Sequence, residues 1–370
     1  MKSLKLAVVV CLLAAVGFWP GQQASLLAQE NPGAVFVMTN SANGNQIESY
    51  ARHADGSLQW IASFATGGNG SGGTIDPLHS QGSLILSQDH RHLFAVNAGS
   101  GTISSFRVDG TSLALVDTTN SGGAFPSALA QSGDLLYVLN AGGNGNVTGF
   151  RVTPKGDLHP INKSTSNLSG PSTSPTSLAF SPNGQFLVVT ENATNNVDVF
   201  HVLPNGSLSE AVTNSTPGAQ PFAAVFAPNG TLIVAGTANT ISSFEVQWDQ
   251  TIHAITSALP TDGQATCWDV VTPNGRVVYA ISAGTSNLAG FTIAHDGSLT
   301  PIGATIVGSN PTGSTNLDTA ISQDGHFVYT LNAGTGTIGI FSVQSDGSLL
   351  NNGQVDGLPA SAGLNGLAAF

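Results

Sequence analysis

Short apolar runs recur along the chain at a nearly fixed interval. Leu93-Phe-Ala-Val-Asn-Ala-Gly99, Leu136-Tyr-Val-Leu-Asn-Ala-Gly142 and Val328-Tyr-Thr-Leu-Asn-Ala-Gly334 are three copies of one pattern. Val35-Phe-Val-Met-Thr-Asn40, Leu187-Val-Val-Thr-Glu191, Leu232-Ile-Val-Ala-Gly236 and Val278-Tyr-Ala-Ile-Ser282 fill the same slot. The second residues of the seven copies are 36, 94, 137, 188, 233, 279 and 329, so the mean interval is (329 − 36)/6, about 49 residues. The one long interval, from 36 to 94, contains the Gly-rich stretch Gly67–Gln81, which reads as a loop insertion. No helical 3.6-residue periodicity of useful length follows residue 28.

Each copy has the same grammar. A first apolar run such as Leu178-Ala-Phe180 leads into Ser181-Pro-Asn-Gly184, Ala227-Pro-Asn-Gly230 or Thr272-Pro-Asn-Gly275. Asn-Gly between apolar runs is a strong hairpin signal, read here as a turn with both residues at positive φ. The second strand follows, then a third such as Val197-Asp-Val-Phe200, then a turn at Pro204-Asn-Gly206, Asp296-Gly297 or Asp346-Gly347. A fourth strand opens with Ser-Leu, as at Ser207-Leu208, Ser298-Leu299 and Ser348-Leu349. Four strands per repeat and seven repeats predict an all-β, seven-bladed β-propeller of four-stranded antiparallel blades. The first copy lacks a first strand, and Gly366-Leu-Ala-Ala-Phe370 lacks a second one. Pairing the C-terminal strand with the N-terminal strands closes the ring and removes two free sheet edges.

Composition narrows the picture. Only 8% of the 370 residues are charged, 9 Lys+Arg against 21 Asp+Glu, where about 25% is usual. So few cations exclude a nucleic-acid footprint. Lys2 and Lys5 precede the apolar run Leu6–Phe18, too short for a bilayer, with Ala24 and Ala28 as cleavage candidates. Residues 1–28 are therefore expected to be a signal peptide, and 29–370 a single propeller domain, periplasmic or extracellular, monomeric and free of the membrane once cleaved. The mature chain then carries 7 bases against 21 acids, a net charge of −14, and Cys267 as its one cysteine, so no internal disulfide can form.

The loops after strands two and four open on one face, and the tight turns on the other. The strand-two ends Asn40, Asn97, Asn140 and Asn332 collect at the first face. They suit the hydroxyls of a sugar-like ligand, or they start Asx turns. Glu191 stands in that ring as a candidate general base, or as a solvated loop-end charge. Trp268 and Asp318 share a slot near the start of strand one. Trp268 suits stacking on a sugar or packing between blades, and Asp318 faces the channel or caps a loop. His79, in the insertion, is the histidine placed near the opening. Zinc motifs, a Gly-x-Ser-x-Gly elbow and a helix-opening Gly-x-Gly-x-x-Gly are absent, so no cofactor or metal is expected.

Ser181-Pro-Asn-Gly-Gln-Phe-Leu-Val-Val-Thr-Glu191, Asp346-Gly-Ser-Leu349 and the Leu-Asn-Ala-Gly strand ends resemble the seven-bladed lactonase family. That family includes bacterial 6-phosphogluconolactonase and fungal carboxymuconate-cyclising enzymes. Pro126-Ser-Ala-Leu-Ala, Gly143-Asn-Gly-Asn-Val-Thr-Gly-Phe150 and Cys267-Trp268 are similar to a secreted branch. The resemblance implies lactone hydrolysis and keeps Glu191 at the family's Glu; with the placement above, Glu191 is expected to be catalytic and Asn97, Asn140, Asn332, Trp268, Asp318 and His79 to bind a small lactone. Family enzymes carry Pro-Arg-His where this chain has Pro175-Thr176-Ser177, so the Arg and His suited to an anionic lactone are missing. A non-catalytic propeller binding a glycan, small molecule or protein on the same face is the alternative.

Overall fold

A computed structural model describes residues 33–216 and 219–370; the expected signal segment lies outside the described residues. Seven antiparallel sheets form the ring, each led by a strand nearest the axis. In blade order these inner strands are Leu367–Ala369, Leu84–Leu86, Pro126–Ser132, Pro175–Phe180, Pro221–Phe226, Thr266–Val271 and Asn316–Ile321. Six blades have four strands, five of them in sequence order and the first led by the C-terminal strand, and the third has its outermost strand split into Leu158–Pro160 and Ser166–Asn167. Residues 166–167 thus belong to that blade.

Burial explains why the second strands carry the clearest repeat. His92–Asn97, Phe186–Glu191, Val277–Ser282 and Phe327–Asn332 are buried along their whole length, because each sheet is sandwiched between its neighbours. Outer strands such as Ile252–Pro260 are largely exposed. The apolar clusters run from blade to blade rather than within one sheet; one spans Ile233, Val278 and Phe291.

The turns after the inner strands differ from the expected form. Only the glycine is left-handed, with φ +70° at Gly184 and +92° at Gly230, and the preceding Asn is not. The proline accounts for this, since its ring fixes φ near −65° and starts a type I turn. Gly184 N–H donates to Ser181 C=O at 2.8 Å, and Asn183 Oδ1 accepts from Gln185 N–H at 3.1 Å. The outer strand of blade four also starts later than Ser207, at Val212–Ser215. Gln250 Nε2 from the next blade donates to Val199 C=O at 2.6 Å, occupying the edge where that strand would pair.

Five inner strands are entered through a residue held in the left-handed region: Phe125, Ser174, Gln220, Ala265 and Thr315. The carbonyl of each accepts the N–H of the residue just past strand two, at 2.9–3.1 Å. These residues therefore ring the axis on the loop face.

The ring closes as the sequence predicts. Leu367, Ala368 and Ala369 pair with Val37, Phe36 and Val35. Asp318 on the last blade's inner strand accepts the Leu367 N–H at 2.9 Å, fastening the closing strand from its other side. Deleting residues 365–370 should lower the melting temperature by about 5–10 °C, because it strips the buried Phe36 edge and orphans Asp318. An unchanged melting curve would show that closure contributes little.

Candidate functional site

The Gly67–Gln81 insertion runs across the loop face and enters the centre of the ring. Gly70 passes so close to Asn40 that a Cβ would lie 2.2 Å from the Asn40 carbonyl oxygen, so only glycine fits. At the far end, the Gln81 carboxamide pairs with the backbone of Asp269. Its Nε2 donates to Asp269 C=O at 3.0 Å, and its Oε1 accepts Asp269 N–H at 3.0 Å. Gln81 N–H donates to Thr176 C=O at 2.9 Å. Ser80 Oγ donates to Ser127 C=O at 2.7 Å, and the Trp268 indole N–H donates to Ser80 C=O at 3.2 Å. One short segment thus touches inner strands of blades three, four and six, which only a segment on the axis can do. Trp268 is fully buried, edge-on to Phe222 at 5.3 Å. It packs the plug against the ring.

Three acids surround this plug, and among the described residues none has a basic partner. Asp269 is buried, its Oδ2 has no hydrogen-bond partner, and burial raises its pKa to about 8. Asp318 is buried, and burial raises it to about 7, with the Asp76 charge adding a smaller push. Asp76, in the insertion, is raised to about 7 by burial although His79 N–H and Asn365 Nδ2 donate to it at 3.0 and 3.3 Å. Cys267 lies near Asp76 and is pushed above the usual thiol range, by burial first and by that charge second, so it is an inert thiol. Among the described residues, no three His, Cys, Asp or Glu side chains converge as a metal cluster would require.

The strand-two ends grip the chain leaving the previous blade. Asn97 Oδ1 accepts from Thr66 Oγ1 at 2.7 Å and Asn45 Nδ2 at 3.1 Å, and its Nδ2 donates to Ser104 and Thr102 hydroxyls at 2.8 and 3.2 Å. Asn332 Nδ2 donates to Asn310 Oδ1 at 3.1 Å and Thr337 Oγ1 at 3.0 Å. Asn140 Nδ2 donates to Ser121 C=O at 3.2 Å and Asn146 Oδ1 at 2.9 Å, leaving its buried Oδ1 unpartnered. All three are fully buried, so a ligand would have to displace these bonds to reach them.

Glu191 fills the same slot in the same way. Its Oε1 accepts Ser169 N–H at 2.9 Å, and its Oε2 accepts the Ser169 and Thr194 hydroxyls at 2.5 and 2.7 Å. The Ser169 N–H is shared with Asp198 Oδ2 at 3.1 Å. Burial, then the adjacent Glu191, raises the Asp198 pKa. The pair fastens the 168–174 loop and has no face open to solvent.

His79 is placed differently. It is exposed at the mouth, its ring edge-on to Phe222 at 5.0 Å and its Nδ1 3.4 Å from Ser174 Oγ. Partial desolvation holds its pKa below the usual imidazole value, so it is neutral at pH 7. Its partner Ser174 is one of the five strand-entry residues, Phe125, Ser174, Gln220, Ala265 and Thr315, none of them charged. Among the described residues, the five Arg and Lys155 sit toward the tight-turn face, and Lys163 lies at the outer edge of blade three. Asp76 and the entry ring were not singled out by sequence reasoning. The signal available was the residue just before each inner strand.

A carboxyl with a folded pKa raised above its unfolded value binds its proton more tightly in the fold. Its stability is then complete below about pH 4 and is lost as pH rises through the folded value. With Asp76, Asp318 and Asp269 all raised, the melting temperature should peak near pH 5 and fall by about 5 °C or more toward pH 8. Asp269→Asn should flatten that fall; a profile rising from pH 5 to pH 8 would contradict the buried-acid assignment.

Comparison with known proteins agrees with this architecture. The chain is similar to a periplasmic gluconolactonase of Pseudomonas aeruginosa at 18% identity, with a TM-score of 0.70 over 91% of this chain and 98% of that one. It is similar to a candidate 6-phosphogluconolactonase of Bacteroides fragilis at 19% identity, with a TM-score of 0.69 over 93% and 98%. A protein of Lactobacillus plantarum aligns at 19% identity and a TM-score of 0.70 over 91% and 98%. At these identities the likeness establishes the fold alone. No curated protein matches the chain. The family profile "Lactonase, 7-bladed beta-propeller" matches residues 43–167 and 126–357. With the repeat, the closure and that match in hand, the chain belongs to the seven-bladed β-propeller lactonase family.

Proposed function

We propose that the protein hydrolyses an uncharged, sugar-like lactone at the mouth of the plugged channel, after export from the cytoplasm. The observation that carries this reading is the pairing of two proton-handling groups on one short segment. His79 is a neutral, exposed imidazole, and Asp76, three residues earlier, has its pKa raised by burial to about 7. Opening a lactone needs a base to take the nucleophile's proton and an acid to give one to the departing ring oxygen. His79 suits the first role and Asp76 the second.

Charge selects the substrate class. Among the described residues the mouth holds acids and uncharged polar groups and no Arg or Lys to receive a phosphate, so the local field disfavours an anionic lactone. The entry residues Ser174, Gln220 and Thr315 offer hydroxyl and amide groups to a polyhydroxylated ring. Glu191, whose carboxylate oxygens are occupied by Ser169 and Thr194, is assigned to holding the loop. The six-membered lactone of an unphosphorylated aldonic acid is the natural first probe.

His79→Ala should lower kcat/KM on that lactone by about 100-fold. The pH profile should be bell-shaped, rising as His79 loses its proton below pH 6.5 and falling as Asp76 loses its own near pH 7. The 6-phosphorylated analogue should turn over more slowly than the uncharged one. Hydrolysis unaffected by His79→Ala moves the chemistry elsewhere. Binding without turnover on any lactone favours a non-catalytic propeller.

A further inference from the structure

We propose that Ser174 is the nucleophile of this reaction, activated by His79; the proposal rests on the lactone-hydrolase reading above. The two side chains come from separate parts of the ring. His79 is carried by the insertion that follows blade one, and Ser174 is the entry residue of blade four. They meet only because the insertion crosses the axis. Ser174 Oγ lies 3.4 Å from His79 Nδ1, at the long end of hydrogen-bond reach. Nucleophile–base pairs are often loose in unliganded sites and tighten when substrate fills them.

Both partners are held at the backbone. Ser174 C=O accepts Asn192 N–H at 3.1 Å, and Thr173 C=O accepts Ala193 N–H at 3.1 Å. Ser169, five residues earlier on the same loop, is fastened by its N–H to the Glu191 carboxylate at 2.9 Å. On the other side, His79 N–H is held by Asp76 and its ring by the edge of Phe222. Ser174 is half-buried and His79 exposed, so the hydroxyl is reachable from the mouth. The other candidate nucleophile nearby, Cys267, is buried with its thiol protonated.

The chemistry balances with lactone and water alone. With Nε2 carrying the ring proton, Nδ1 takes the Ser174 hydroxyl proton as Oγ bonds to the lactone carbonyl carbon. The ring C–O bond then breaks, and the departing alkoxide takes that proton from His79 Nδ1, directly or by way of Asp76, which frees Nδ1 again. This leaves a hydroxyacyl ester on Ser174. A water, deprotonated by Nδ1, adds to that ester; the Oγ–acyl bond breaks, Oγ recovers a proton, and the hydroxy acid leaves.

The test uses the full chain with the uncharged six-membered aldonolactone and, separately, a fluorophosphonate probe. Ser174→Ala should lower kcat by about 100-fold or more with its melting curve unchanged. Acid-quenched wild-type protein should carry the mass of one lactone on the peptide containing Ser174, absent from Ser174→Ala. The probe should label Ser174, and His79→Ala should slow that labelling at least tenfold. Full turnover in Ser174→Ala overturns the nucleophile and leaves the lactone reading standing, with water attacking directly. Labelling of Ser174 in a protein that opens no lactone keeps the nucleophile and rejects the lactone reading. Neither turnover nor labelling rejects both.

Discussion

The pairing of the Gln81 carboxamide with the backbone of Asp269 is the contact on which the centre of this ring depends. Seven sheets packed face to face bury one another's second strands, but their inner strands leave an axial hole. Here the hole is closed by the protein's own chain. The insertion ends in Ser80 and Gln81, whose polar groups pair with Ser127, Thr176, Trp268 and Asp269. A half-buried amide with both its carbonyl and one N–H engaged gives a net gain of only about 1 kcal/mol per bond, yet leaving those partners unpaired would cost more. The insertion therefore does two things at once: it seals the axis and delivers Asp76 and His79 to the mouth.

Closing the channel in this way places carboxyls where little solvent reaches them. Asp76, Asp318 and Asp269 lose hydration and gain backbone or amide donors rather than cations. Their raised pKa values follow mainly from that desolvation. The segregation of Arg toward the opposite face is the other half of the same arrangement. It leaves the mouth suited to neutral, hydroxyl-rich molecules and unsuited to phosphate.

The fold was legible because propeller geometry is written locally. A buried second strand such as Leu136–Asn140 must be largely apolar, and a turn after an inner strand must supply a left-handed residue, so the strand recurs in all seven blades and the turn in the six whose inner strand is followed by one. The C-terminal closure was legible from the missing strand at each end. The site was less so. Asn97, Asn140, Asn332 and Glu191 looked like a ring of ligand groups because they recur at one face. Their recurrence has a structural cause, since each grips the segment arriving from the preceding blade. Repetition signals the scaffold, and a site breaks it. The Gly-rich insertion breaks the repeat most plainly, but its penetration to the axis depends on partners such as Asp269, nearly 190 residues away, which no local pattern reveals. Trp268 and Asp318 lie on inner strands, where one packs the plug and the other clamps the closing strand.

Amide hydrogen exchange on the Leu78–Gly82 segment tests the central claim, penetration of the insertion to the axis, most directly. If Gln81 is paired with Thr176 and Asp269 at the centre of the ring, its N–H and that of Asp269 exchange as slowly as those of the core strand His92–Asn97. Exchange of the Gln81 N–H at the rate of an exposed loop, with the core strand protected, would contradict the plug and the site it builds.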